Sequence, residues 1–197
     1  MQDQWNQRYK DEIYFYGLEP NPQFKQFIDQ TKPGKILLPA EGEGRNAVYA
    51  ASKGWNVTAL DYSNEAQQNA LLLAKKHKVN IHYHIEDINT YQPTQNTYDC
   101  IACVFLHLPS VQLKHVYKHL LSALKPDGTL FIIGFNKAQL KLSSGGPKNE
   151  DWLFSTELFN SIFQPYNIIK NENIETHLSE GKGHKGPTKL TVAQIKK

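Results

Sequence analysis

The chain has 197 residues, of which 40% are apolar and 21% charged, and a formal net charge of +3. That length suits one domain with a full core, and lysines spread along the chain leave no basic stripe for nucleic acid. No apolar run approaches the ~20 residues that span a bilayer, Cys100 and Cys103 make no disulfide framework, and the polar start MQDQWNQRYKDE is not a secretory leader. The expectation is a cytoplasmic protein with neither nucleic acid nor membrane as partner.

Residues 1–33 are aromatic and polar, with Trp5, Tyr9, Tyr14, Phe15 and Tyr16 ahead of a short helical pattern on Phe24, Phe27 and Ile28. KILLPA (35–40) is an apolar run that predicts a buried strand. A helix is predicted from about Arg45 to Lys53, stopped by Gly54. NVTALD (56–61) predicts a second strand ending in an acid. Ser63 then reads as a helix N-cap, with Ala66, Ala70, Leu73 and His77 on one helical face. VNIHYHI (79–85) and YDCIACVF (98–105) predict the third and fourth strands. SVQLKHVYKHLLSAL (110–124) predicts a helix, KPDG a turn and TLFIIGF (129–135) a fifth strand. Strand and helix patterns that alternate in this way imply a parallel sheet covered on both faces.

The tail differs. SSGGPKNED (143–151) reads as a loop and residues 155–163 as a short helix. Two strand-like runs, 166–176 and 188–195, flank SEGKGHKGP and predict an antiparallel hairpin added to the sheet. The expected fold is α/β: a Rossmann-like, doubly wound, mostly parallel seven-stranded sheet with an antiparallel C-terminal hairpin. It forms one domain over residues 1–197, with a helical and aromatic cap (1–33), a core (35–135) and a tail (136–197).

In such a sheet, ligands bind at the carboxyl ends of the strands where strand order reverses. The first strand leads into an acidic glycine turn, LLPAEGEGRN (37–46), in which Gly42 and Gly44 permit close approach of a ligand. Gly42-x-Gly44-x-x-Ala47 with Asp61 also fits a dinucleotide fingerprint. A pyrophosphate on this turn would meet Glu41, however, and a like charge about 4 Å away costs roughly 4 kcal/mol at an effective dielectric near 20. S-adenosylmethionine (SAM) has no phosphate and offers two cations and a ribose diol, which Glu41 favours. Glu43 reads as solvent-facing. The bland reading of the turn is an acidic helix N-terminus with no ligand. Asp61, ending the second strand, suits the ribose hydroxyls, or is an ordinary cap. Glu86-Asp87-Ile88, after the third, suits adenine, or is a surface turn.

On these residues the chain resembles the class I SAM-dependent methyltransferases: LLPAEGEGRNAVYAA is similar to their glycine motif, VTALD to the ribose-acid strand, EDI to the adenine turn, and LLSALKPDGTLFI to the helix, turn and strand that follow. WNQRY, YFYGLEPN, HLPS, SSGGP and EGKGHKGPTKLTV further resemble a bacterial subgroup related to the TehB-type tellurite-resistance methyltransferases. The chain departs from relatives at IGFNKAQL, where they commonly carry an acid after the fifth strand, and at KPDG in place of KPGG.

The resemblance implies methyl transfer from SAM, with S-adenosylhomocysteine as product, to a small-molecule acceptor such as a thiol or a chalcogen oxyanion. It implies that Glu41 holds the methionine moiety, that Gly42 and Gly44 pass beneath it, and that Asp61 binds the ribose with Tyr62 on the adenosine. Asp87 and Ile88 then face adenine, and Cys103, Val104 and Phe105 form the floor near the methyl. Trp5, Arg8, Tyr9, Tyr14 and Tyr16 read as a lid or as a packed lead-in. Arg45 reads as an acceptor contact or, slightly favoured, a helix-surface residue. His107 is the candidate acid/base, since histidine titrates near neutrality, and His184 lies where it reaches the acceptor. Cys100-x-x-Cys103 lies within a strand and points its thiols to opposite faces, which argues against a redox pair. The His82/His84 and His115/His119 pairs lack a third ligand, so no metal is expected. A SAM-binding protein without catalysis and an NAD(P)-dependent oxidoreductase are the alternatives.

Overall fold

The structure is a computed structural model that describes residues 2–197. One seven-stranded sheet runs through it in the order β3-β2-β1-β4-β5-β7-β6. The strands are β1 (Lys35–Pro39), β2 (Asn56–Asp61), β3 (His82–Ile85), β4 (Tyr98–Val104), β5 (Leu124–Phe135), β6 (Asn167–Glu180) and β7 (His184–Lys196). The first five pair in parallel, and β7 lies antiparallel to both β5 and β6. The order reverses between β1 and β4, so the carboxyl ends of these two strands open a crevice.

Alternation along the strands divides the core. Ile36 and Leu38 of β1 with Cys100, Ala102 and Val104 of β4 face one layer. It is covered by α2 (Pro22–Gln30), α3 (Arg45–Ser52) and α4 (Asn64–Lys76). Leu37, Ile101 and Cys103 face the other, covered by α5 (Ser110–Ala123) and α6 (Thr156–Phe163). The two cysteines therefore lie on opposite faces, buried and unbonded.

Helix starts follow their caps. Asn21 accepts from Gln23 and Phe24 N–H, with Pro22 at the first helical position, and this sets Phe24, Phe27 and Ile28 against the sheet. Ser63 accepts from Ala66 N–H at 3.1 Å and Ser155 from Leu158 N–H at 3.1 Å. The N-terminal helix α1 (Gln2–Asp11) is polar and buries only Tyr9.

Two sequence expectations change. KPDG, read as a turn before the fifth strand, lies inside β5: pairing jumps from Tyr98↔Leu124 to Cys100↔Thr129, and the excess residues bulge out with Asp127 in the left-handed region. The hairpin is also longer than its glycine and proline content suggested. Residues read as loop pair as His177↔Pro187, Leu178↔Gly186, Ser179↔Lys185 and Glu180↔His184. Pro187 is tolerated because β7 has passed the end of its pairing with β5 at Leu190.

Gly44 has φ 84, and a Cβ there would lie 2.6 Å from the Ala70 Cβ. Gly54 shares the left-handed backbone (φ 87) but has open space, its nearest atom being 4.0 Å away. Gly44→Ala should therefore cost about 2–4 kcal/mol, the left-handed penalty plus overpacking, and Gly54→Ala about 1–2. Urea unfolding of the two variants checks this ordering.

Candidate active site

The crevice is a cavity of about 810 Å³, within the range of pre-formed ligand sites. Backbone in unusual conformations surrounds it: Ala40 (φ 52) after β1 and Phe105 (φ 58) after β4 are non-glycine residues in the left-handed region, and both line the cavity. Such strain persists where the surroundings over-determine it, and it concentrates at functional sites.

At the β1 end, Glu41 reaches across the turn. Its Oε1 accepts from Asn46 N–H (2.8 Å) and Ala47 N–H (2.7 Å), capping α3 in place of the side chain that Gly44 lacks. The same side chain borders the cavity, so helix capping and ligand contact coexist. Asp61 is buried at the end of β2 and accepts from Gly42 N–H (3.1 Å) and Ser63 N–H (3.0 Å). Tyr83 Oη donates to Gly42 O at 2.6 Å, fixing the turn from below. Burial raises both acids, Glu41 to about 7 and Asp61 to about 6. Tyr62, Asp87, Ile88, Val104 and Phe105 also line the cavity, and Asp87 Oδ1 closes its turn by accepting from Asn89 N–H at 2.9 Å.

Glu43 is not solvent-facing. It is 6% exposed and binds the N-terminal segment, accepting from the N–H of Tyr14, from the N–H of Phe15 at 2.8 Å and from Asn69 Nδ2 at 2.9 Å. The segment so held brings Trp5, Arg8, Tyr9, Phe15 and Tyr16 onto the cavity. The Arg8 guanidinium lies 4.7 Å from the Trp5 ring and 5.1 Å from Phe15, and donates to Tyr16 Oη at 3.1 Å. The hairpin tip meets this segment, with Lys182 N–H donating to Phe15 O at 2.9 Å. Rings of Phe105, Phe135, Tyr16 and His184 complete that end, with centroids 4.4–5.0 Å apart in the pairs that touch.

Four sequence assignments are corrected. Cys103 has no exposed surface and packs on the α5 side of the sheet, so it forms no part of the floor. Gly44 packs against Ala70 and does not border the cavity. Arg45, favoured as a helix-surface residue, is 8% exposed; its Nη2 pairs with Glu180 Oε2 at 2.8 Å, and Nη1 donates to Tyr16 O and Glu19 O. His107 borders the cavity, but both ring nitrogens are occupied: Nδ1 meets Trp152 O at 2.7 Å, and Phe135 N–H donates to Nε2 at 3.1 Å. A carbonyl partner requires Nδ1–H, and an N–H partner requires a bare Nε2. His107 is thus a neutral tautomer bound on both sides, and burial pushes its pKa down to about 4. It has no free lone pair for acid/base work.

Sequence reading passed over Glu180, Phe15 and Phe135 as site residues. Among the described residues no three or more His, Cys, Asp or Glu side chains converge as metal ligands.

Residues 36–128 match the family profile described as methyltransferase domain. Over those residues the chain is similar to methyltransferase domains. Similar solved structures share the fold of the whole chain, SAM-dependent methyltransferases among them. One comes from work on the conversion of a disulfide bond into a thioacetal group during echinomycin biosynthesis; it is 16% identical, with a TM-score of 0.81 over 100% of this chain and 93% of that one. TehB of Haemophilus influenzae is 18% identical, with a TM-score of 0.72 over 100% of this chain and 66% of its own length. The magnesium protoporphyrin IX methyltransferase of Synechocystis PCC 6803, solved with bound SAM, is 15% identical, with a TM-score of 0.72 over 100% and 94%. No curated protein sequence matches the chain. No helix among the described residues is long and apolar enough to cross a membrane.

SAM is the cofactor of the similar methyltransferases, and the donor set of the cavity fits it: two carboxylates, Glu41 and the buried Asp61, border the turn where a dinucleotide would put its phosphates. Because both acids are raised, a cationic ligand must bind against protonation. SAM affinity should be flat above pH 7.5 and fall by about one to two orders of magnitude by pH 5.5, as Glu41 and then Asp61 take up protons. Calorimetry across that range checks it, and Asp61→Asn should show a weaker pH dependence and about tenfold or more lower affinity at pH 7.5.

Proposed function

We propose that the protein transfers the methyl group of SAM to a small, anionic or ionisable soft nucleophile, a thiol or a chalcogen oxyanion. The observation that carries this reading is the polarity of the cavity: acids at the β1–β2 end, and the Arg8 guanidinium with aromatic rings towards the hairpin. In this reading Glu41 holds the ammonium group, Gly42 lets the ligand approach its backbone, and Asp61 accepts from the ribose hydroxyls. Tyr62 packs on the adenosine, and Asp87 and Ile88 border the adenine. When bound, SAM supplies an electrophilic methyl group, so the protein chiefly positions the acceptor and excludes water. Val104 and Phe105 shape the floor, while Trp5, Arg8 and Tyr16 close the site from the N-terminal side.

The Arg8 guanidinium has Trp5 and Phe15 beside it and one donor spent on Tyr16. Its remaining N–H groups suit an anion, and a charge-assisted contact contributes about 1.5–3 kcal/mol. Lys182 also borders the cavity, but its ammonium is already paired with Glu12 at 2.6 Å, which leaves Arg8 as the anion contact. The similar echinomycin-pathway structure is described by chemistry at a disulfide bond, which is in keeping with a sulfur acceptor.

The test is release of S-adenosylhomocysteine with 2-mercaptoethanol, tellurite and selenite as separate acceptors. Turnover above the acceptor-free rate is expected with at least one of them. Arg8→Gln should raise the acceptor KM about tenfold while leaving SAM affinity unchanged. Turnover confined to neutral hydroxyl or amine acceptors would contradict the proposal.

A further inference from the structure

His184 is the one cavity histidine whose chemistry is left free. It and Glu180 form the register pair that closes the β6–β7 hairpin, and directly opposed residues project from the same face. His184 Nδ1 meets Glu180 Oε2 at 2.9 Å. Glu180 is itself fixed: Arg45 Nη2 donates to Oε2 at 2.8 Å and Asn21 Nδ2 to Oε1 at 2.8 Å. The carboxylate can only accept, so Nδ1 carries the proton and Nε2 is the bare nitrogen. The ring is 6% exposed, stands between Tyr16 and Phe105, and borders the cavity; no described residue occupies Nε2.

We propose that His184 is the general base that deprotonates the methyl acceptor, with Glu180 as the positioning residue that fixes its tautomer and Arg45 and Asn21 holding Glu180. This inference rests on the acceptor class proposed above. The acceptor S–H bond breaks, its proton passes to His184 Nε2, and its electron pair forms the bond to the methyl carbon. The methyl–sulfonium bond breaks with its pair returning to that sulfur. The imidazolium then gives its proton to water. The products are the methylated acceptor, S-adenosylhomocysteine and one proton.

The charged and titratable groups around the ring agree with a neutral resting state. Burial lowers the pKa of His184, Glu180 opposes that, and Arg45 and Arg8 add to it. Tyr16 packs at a tilt against the ring, Lys182 in the hairpin tip is paired with Glu12, and His107 lies behind Phe135 as a neutral imidazole. Glu180 stays ionised, held down to about 2 by His184 and Arg45 against its burial.

Two measurements decide the matter. The first compares 2-mercaptoethanol, protonated at pH 7, with 2-nitro-5-thiobenzoate, already a thiolate. His184→Gln should lose about 100-fold or more in kcat with the alkanethiol and less than about fivefold with the arylthiolate. Equal losses on both would mean a structural role and overturn the proposal. The second is 15N NMR of the full-length labelled protein with S-adenosylhomocysteine, His184 being assigned by its absence from His184→Gln. A protonated Nδ1 and bare Nε2 at pH 7, shifting towards a tautomer mixture in Glu180→Gln, are expected. An imidazolium or an Nε2–H tautomer at pH 7 would overturn the proposal. Turnover of neither thiol by the wild type would sink the acceptor class, and with it thiol deprotonation by His184, even where the NMR result upholds the tautomer.

Discussion

The Glu180 carboxylate is the contact on which the arrangement of the site depends. A buried charge is tolerated only when paired and hydrogen-bonded. Glu180 meets that demand with Arg45, His184 and Asn21, which come from three separate parts of the chain. Asn21 also caps α2 and donates through its own N–H to Asn46 Oδ1 at 2.9 Å. Asn46 N–H in turn donates to Glu41. One continuous polar network thus joins the hairpin tip, the start of α2, the start of α3 and the acidic turn. Removing Arg45 would leave an uncompensated charge in the interior, and removing Asn21 or His184 would cost Glu180 a hydrogen bond, so the two ends of the cavity cannot shift independently at low cost.

The turn itself divides its labour. Glu41 and Glu43 are two residues apart and both border the cavity, yet Glu41 caps α3 while Glu43 binds the N-terminal segment. The left-handed residues between and beside them, Gly42 and Gly44, send successive carboxylates in different directions. The consequence is a site walled on two further sides. The segment that Glu43 ties down carries Trp5, Arg8 and Tyr16, and the hairpin tip closes against it. Enclosure excludes water and strengthens each electrostatic contact inside.

Much of the sheet was legible in the sequence because local periodicity encodes it. The apolar runs at 35–40 and 98–105 and the acid-terminated strand at 56–61 carry their burial pattern in adjacent residues. What was not legible depends on partners distant in the chain. Arg45 looked like a helix-surface residue because its carboxylate lies 135 positions away. Glu43 looked solvent-facing because its donors, Tyr14 and Phe15, precede it by 29 and 28 residues. His107 drew attention by residue type, but the Trp152 carbonyl and the Phe135 N–H that occupy its ring come from other elements. Cys103 was placed one position out: strand alternation turns it to the core while Val104 faces the crevice. The hairpin was shortened because glycine and proline, read locally, signal loops.

The central claim is that the acidic turn selects a cationic nucleoside ligand and rejects a dinucleotide. Side-by-side calorimetric titration of the purified protein with SAM, S-adenosylhomocysteine and NADH tests this most directly. Micromolar binding of the first two with none of NADH is the predicted result. Binding of NADH alone would contradict the reading of Glu41 and of the cavity built around it.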